Sequence, residues 1–159
     1  MSRTDAVRVS TTVGVDADTA FAVFTSEIDA WWLRGAAFGV PQGHQLRFDA
    51  DRLVVFRDSG EVRELGRVRA WKPGELLVFT LPPKTSEPDT WTEVEVRFEP
   101  LDDGRTRVTV VHRGFDEIPD GASARHGLTS EGFVGMMGRW WRDLLVSLHA
   151  HTGRTREGG

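Results

Sequence analysis

The 159-residue sequence has no cysteine and no tyrosine. Without cysteine there can be no disulfide, no thiolate nucleophile and no cysteine-ligated zinc, and the chain suits a reducing compartment. A cytoplasmic location is the expectation. An excess of either charge is also missing. The net charge is −4 with both signs interspersed, which leaves no basic stripe for nucleic acid or anionic lipid. No apolar run reaches the roughly 20 residues of a membrane span. Arg3 and Arg8 have no apolar run behind them, so no signal peptide is expected. There is no paired-carboxylate or nucleophile-with-base signature, no glycine-rich phosphate loop and no zinc spacing. The expectation is therefore no cofactor, no metal and no catalytic machinery of a familiar type.

What the chain has is large apolar surface: six Trp, nine Phe and three Met, with few hydroxyls among them. Much of it falls in one segment near the end, from about Ser130 to His151. Phe133, Met137, Trp140, Trp141, Leu144 and Leu148 recur there at helical spacing, and Arg139, Arg142, Asp143 and His149 occupy the other side. Such an amphipathic helix, roughly 30 Å long, must lie on an apolar surface of similar length. Strands of eight or nine residues supply one.

Val7, Val9, Thr11 and Val13 alternate with polar neighbours and predict a first strand. Asp16 or Asp18 can cap a short helix whose apolar positions are Ala20, Phe21, Val23, Phe24 and Ile28. A second short helix carries Asp29 to Leu33 with the adjacent Trp31 and Trp32. Helical neighbours point about a hundred degrees apart, so at least one of these indoles is expected at an opening or an edge. Gly35 to Gly43 reads as a loop. Six strands follow, over Leu46–Phe48, Leu53–Arg57, Glu61–Trp71, Leu76–Leu81, Trp91–Glu99 and Arg105–Arg113, separated by turns such as Lys72-Pro73-Gly74 and Asp102-Asp103-Gly104. The order β-α-α-β6-α implies an α+β fold, with an antiparallel sheet curled around the closing helix. One domain is expected over 1–151. The small, charged, Gly-rich segment 152–159 is expected to be disordered.

The opening strand followed by Ala20-Phe-Ala-Val-Phe-Thr25 and the Trp31-Trp32 pair resembles the START-like, SRPBCC helix-grip superfamily. Three further stretches are similar to its branch named after the activator of the ninety-kilodalton heat-shock protein ATPase. They are Gly66-Arg-Val-Arg-Ala-Trp-Lys-Pro-Gly-Glu-Leu-Leu-Val-Phe-Thr-Leu81, Gly104-Arg-Thr-Arg-Val-Thr-Val-Val-His-Arg-Gly-Phe115 and Gly138-Arg-Trp-Trp-Arg-Asp-Leu-Leu145. The resemblance spans Val7 to His151 and implies a helix-grip fold with an inner cavity. After the Trp pair this chain reads Leu-Arg-Gly-Ala-Ala-Phe-Gly, where family members often have an aromatic and Gly-Pro loop, which changes the expected cavity mouth.

Candidates for the lining of such a cavity are Trp31, Trp32, Phe38, Phe79, Trp91, His112, Phe115, Met137, Trp140, Trp141 and Leu144. They suit a small hydrophobic or aromatic molecule held mainly by burial, with Met136 and Met137 letting the wall adapt. The blander account of each residue is that it is core. His112 is in phase with Val108 and Val110, so it faces the helix. It is either a satisfied core histidine, an anchor for a ligand's polar atom, or an acid or base. Arg113 and Glu64 stand at strand positions near a possible rim. Glu93 and Glu95 should face water. His149 and His151, two apart on a helix, do not share a face and make poor metal ligands. His44 and His126 stand alone in loops. Three functions compete: a carrier, sensor or sequestering module for a small apolar molecule; a cyclase or dehydratase using His112, as the superfamily resemblance implies; and a protein-interaction or co-chaperone-like module, working as monomer or homodimer.

Overall fold

The computed structural model describes residues 6–35, 38–57, 59–81, 92–114 and 130–158; in the last segment the described side chains are those of 135–153. Strand β1 (Ala6–Val13) is followed by helices α1 (Ala17–Ser26) and α2 (Ile28–Trp31). Strands β2 (Gln45–Asp49), β3 (Arg52–Phe56), β4 (Val62–Lys72), β5 (Leu76–Leu81), β6 (Thr92–Pro100) and β7 (Thr106–Arg113) then precede helix α3 (Ser130–Gly158). The strands form one antiparallel sheet in the order β1-β7-β6-β5-β4-β3-β2. This is the α+β, helix-grip arrangement: a curved sheet closed by a long last helix.

Period-two alternation aligns the inner face. Val7, His112, Val94, Phe79 and Val68 lie in one row across five strands, because Val7 pairs with His112, His112 with Val94, Val94 with Phe79 and Phe79 with Val68. Curvature comes from two irregularities in β4, where the register shifts against β3 near Leu53 and against β5 near Val68. Gly66 sits between them. A β-carbon there would lie 1.8 Å from the carbonyl oxygen of Thr80, so only glycine lets β4 approach β5 this closely.

Helix α1 starts at Asp16, whose carboxylate accepts a hydrogen bond of 2.8 Å from the Thr19 backbone N–H. This decides between the two capping candidates. Its buried Phe21 meets Phe98 and Trp71 on the sheet. Helix α3 runs beside the edge strand β1. Val7 Cγ1 lies 4.0 Å from where a β-carbon on Gly138 would stand, and His149 Nδ1 lies 2.9 Å from the Thr12 carbonyl oxygen. Five strand residues and eleven helical residues both span about 16 Å, so helix and strand keep step. The helix continues beyond His151, where its spacing had suggested an end, to Gly158. Thr152 is buried, and its hydroxyl donates to the His149 carbonyl at 2.8 Å. His151 Nε2 is 2.7 Å from Glu27 Oε1. These contacts carry the helix past a boundary that composition alone had suggested.

Candidate functional site

Four indoles meet where α2 touches α3. Trp31 and Trp32 are both buried, which corrects the expectation that one would border an opening. The reason is the brevity of α2: Trp32 is its C-cap, with extended backbone at φ −65° and ψ 135°, so helical angular spacing does not apply between the two. Trp31 turns toward Phe24, with ring centroids 4.8 Å apart, and its indole N–H donates to the Phe24 carbonyl at 3.3 Å. Trp32 packs on Trp31, with ring centroids 5.5 Å apart, and stands edge-on to Trp140 at 5.7 Å and to Trp141 at 5.9 Å. Trp140 and Trp141 are themselves perpendicular at 5.0 Å. Edge-to-face geometry of this kind is the favoured arrangement of aromatic quadrupoles. The α2 backbone is tied to α3 by Ser147 Oγ, which donates to the Trp31 carbonyl at 2.5 Å.

His112 joins this cluster from the sheet. Trp141 Nε1–H donates to His112 Nδ1 at 3.0 Å. An indole N–H can only donate, so Nδ1 is the unprotonated nitrogen and the ring proton sits on Nε2. Nε2 lies 2.7 Å from Thr92 Oγ1, and the Thr92 hydroxyl donates to the Leu81 carbonyl at 2.8 Å. The result is a directed chain, Trp141 to His112 to Thr92 to Leu81, running from helix to sheet with both imidazole nitrogens engaged. His112 and Thr92 are each buried. Burial pushes the imidazole pKa down from 6.5 to about 3, so the ring is neutral at physiological pH.

Burial is graded along α3. Trp141, Leu144, Leu145 and Leu148 are completely enclosed, whereas Met136, Met137 and Trp140, nearer its N-terminus, are half-buried. Phe38 is half-buried too and stacks on Trp140, with ring centroids 5.7 Å apart and planes within 21°. The loop carrying it is held by the indole N–H of Trp32 to the Phe38 carbonyl at 3.0 Å and by Arg63 to the Gly39 carbonyl at 2.8 Å. The structure thus brings Trp31, Trp32, Phe38, His112, Trp140 and Trp141 into ring contact. Phe79 is buried on the same sheet face, but its ring contact is with Phe48. Leu144 belongs to the closed core. Trp91 and Phe115 lie outside the described residues. Thr92 escaped the sequence reading, although extending the Val94, Val96 and Phe98 alternation back one step places it inward.

The polar suspects are accounted for elsewhere. Arg113 bonds Glu93 at 3.0 Å and Glu95 at 2.9 Å, and this guanidinium holds the Glu95 carboxyl below its usual range. Glu64 pairs with Arg67. His149 and His151 contact different elements. A groove of about 560 Å³ is bordered by Arg8, Glu75, Arg97, Glu99 and Thr109 among others. By alternation Arg97 and Thr109 face away from α3, and none of the candidate residues borders this groove.

Residues 15–149 match the family described as Activator of Hsp90 ATPase homolog 1-like protein. The chain belongs to this family. No curated protein matches the sequence. Among solved structures, an Hsp90 activator from Plasmodium falciparum is similar with a TM-score of 0.63 and 16% identity, over 94% of this chain and 96% of that one. The self-sacrificing resistance protein CalC from Micromonospora echinospora has a TM-score of 0.60 and 25% identity, covering 96% of this chain and 97% of its own. An anthrahydroquino-gamma-pyrone synthase is similar at a TM-score of 0.52 and 25% identity, over 83% and 87% of the two chains. The family thus sits on a fold that hosts proteins of quite different activity, and fold alone does not choose among them. Among the described residues, no helix is long and apolar enough to cross a membrane.

Proposed function

We propose that this domain binds a small hydrophobic or aromatic molecule between the sheet and the N-terminal half of α3, as a carrier, sensor or sequestering module. The observation that carries the reading is the change of burial along one helix face. Trp141, Leu144 and Leu148 are sealed, while Met136, Met137, Trp140 and the Phe38 stacked on it keep part of their surface free at the same end. Adaptable thioethers beside flat rings make a surface that can repack around a guest. We further propose a single-domain protein of the cytoplasm, monomeric or homodimeric, needing no cofactor. A cyclase or dehydratase route through His112 is set aside, because a proton-transferring imidazole needs a nitrogen within reach of the substrate, and both nitrogens here are engaged inside the fold. Likeness to the Plasmodium activator at 16% identity speaks for fold and gives a co-chaperone role no separate support.

The test is titration with the uncharged fluorophore N-phenyl-1-naphthylamine, read by its emission and by quenching of the tryptophans. Binding is expected in the micromolar range, about −8 kcal/mol. Trp140→Ala and Met137→Trp should each change the affinity several-fold while far-UV circular dichroism shows the fold retained. Unchanged affinity in both folded variants overturns the proposal.

A further inference from the structure

We infer that the groove on the outer face of the sheet binds a small zwitterion, such as a short peptide with both termini free, its carboxylate at Arg8 and its ammonium at Glu75. This site is separate from the one proposed above and stands or falls on its own. The groove has a volume of about 560 Å³ and is bordered by β1, β7, β6 and the turn between β4 and β5. Alternation fixes the face it occupies. Val7, Val94, Val96 and Phe98 are buried in the core, so Arg8, Arg97 and Glu99 point away from it, and Thr109 is the strand partner of Arg97.

Four charged residues border the groove, and two of them are already paired. Arg97 donates from Nε to Glu95 at 2.6 Å, and Glu99 accepts from Arg107 at 3.4 Å. Arg8 and Glu75 are exposed and make no ion pair or side-chain hydrogen bond among the described residues. Along its own row the first acid Arg8 meets is Glu95, two strands or about 10 Å away, and Glu95 is taken up by Arg113 at 2.9 Å as well as by Arg97. Lys72 shares the turn with Glu75 but forms no ion pair with it. The Glu75 end is held in place. Phe98 N–H donates to the Glu75 carbonyl at 2.9 Å, and a β-carbon on Gly74 would lie 2.2 Å from the Asp18 carboxylate. Thr109 lines the floor, and its hydroxyl has no partner among the described residues. No buried side-chain oxygen there goes unsatisfied, so this one opens to solvent and can donate to a carboxylate. A lone anion would satisfy Arg8 but face Glu75 and Glu99, and a lone cation would do the reverse. A ligand carrying both charges complements both ends. Three strand spacings, about 14 Å, separate β1 from β5, so charged ends about 10 Å apart, the length of an extended tripeptide, bridge the two side chains.

Triglycine, N-acetyltriglycine and triglycine amide share a backbone and differ in charge, carrying both ends, the carboxylate alone and the ammonium alone. Each is titrated into the isotope-labelled full chain at low salt, where amide resonances report both affinity and place. Exposed ion pairs are individually weak, so triglycine should bind in the millimolar range and each blocked form at least about threefold more weakly. The shifts should fall on Arg8, Glu75, Arg97 and Thr109. Arg8→Gln should reduce triglycine to the level of its amide without weakening the amide, and Glu75→Gln should reduce it to the level of the acetylated form without weakening that form. Both side chains are exposed, so the variants keep the fold, which the same spectra verify. Equal affinity for the three forms, shifts confined to other surfaces, or no binding of triglycine overturns the inference. N-phenyl-1-naphthylamine binding is read separately in the same variants and should not change, so failure of either site leaves the other standing.

Discussion

His112 shows how one residue couples protonation to the fold. In the unfolded chain its pKa is the ordinary 6.5, and in the folded domain burial holds it at about 3. Between those values the unfolded chain binds the additional proton. Its contribution to stability is thus complete above about pH 6.5 and is lost at about 1.4 kcal/mol per pH unit as the pH falls toward 3. In urea denaturation across that window, the difference between the wild type and His112→Gln should slope by this amount, and a flat difference would show that the imidazole is not held neutral. Trp141→Phe keeps the ring packing but strands Nδ1 without its donor, so a loss of about 1–3 kcal/mol is expected at pH 7. Little of this was legible beforehand. Alternation with Val108 and Val110 told which face His112 occupies, but its tautomer follows from the indole of Trp141, 29 residues further along the chain, and no local pattern encodes that meeting. The Trp31-Trp32 pair teaches the same lesson: both are buried because α2 stops between them.

Strands and helices were far easier to read, because each is written in local periodicity. All six strands of the meander lie within about two residues of their expected positions, and β4 and β5 flank the Lys72-Pro73-Gly74 turn as anticipated. What periodicity did not reveal is where the sheet bends. Two register shifts and a glycine do that work in β4. Gly66→Ala would drive a methyl into the Thr80 carbonyl, and β4 could relieve the clash only by drawing away from β5. The cost should be about 1–3 kcal/mol or more, measurable as a lowered urea midpoint with unchanged m-value. Asp16→Ala tests the start of α1 in the same way, with a lowered urea midpoint expected from the missing cap. Helix α3 runs past the end at about His151 that its spacing suggested, and the long-range contact there, His151 with Glu27, is one that no local pattern encodes.

Across the whole molecule, α2, α3 and the inner sheet face share one continuous core, from Val7 on β1 to Leu148 on α3. Unfolding should therefore be a single cooperative event. Tryptophan fluorescence, to which the four-indole cluster contributes four of the six indoles, and far-UV circular dichroism should give coincident transitions. A separate early fluorescence change would mean that α2 and α3 loosen before the sheet does.

The placement of β1 has a consequence for how the domain is made. Among the described residues its strand partner is β7, with Val7 opposite His112 and Val13 opposite Thr106, and the helix that covers it comes later still. While the ribosome is extending the chain, this strand waits about a hundred residues for its neighbour, its row of amide groups available to any passing edge. Birth of this protein is thus governed by its longest-range pairing, and the interval before β7 appears is when the nascent chain most needs an escort.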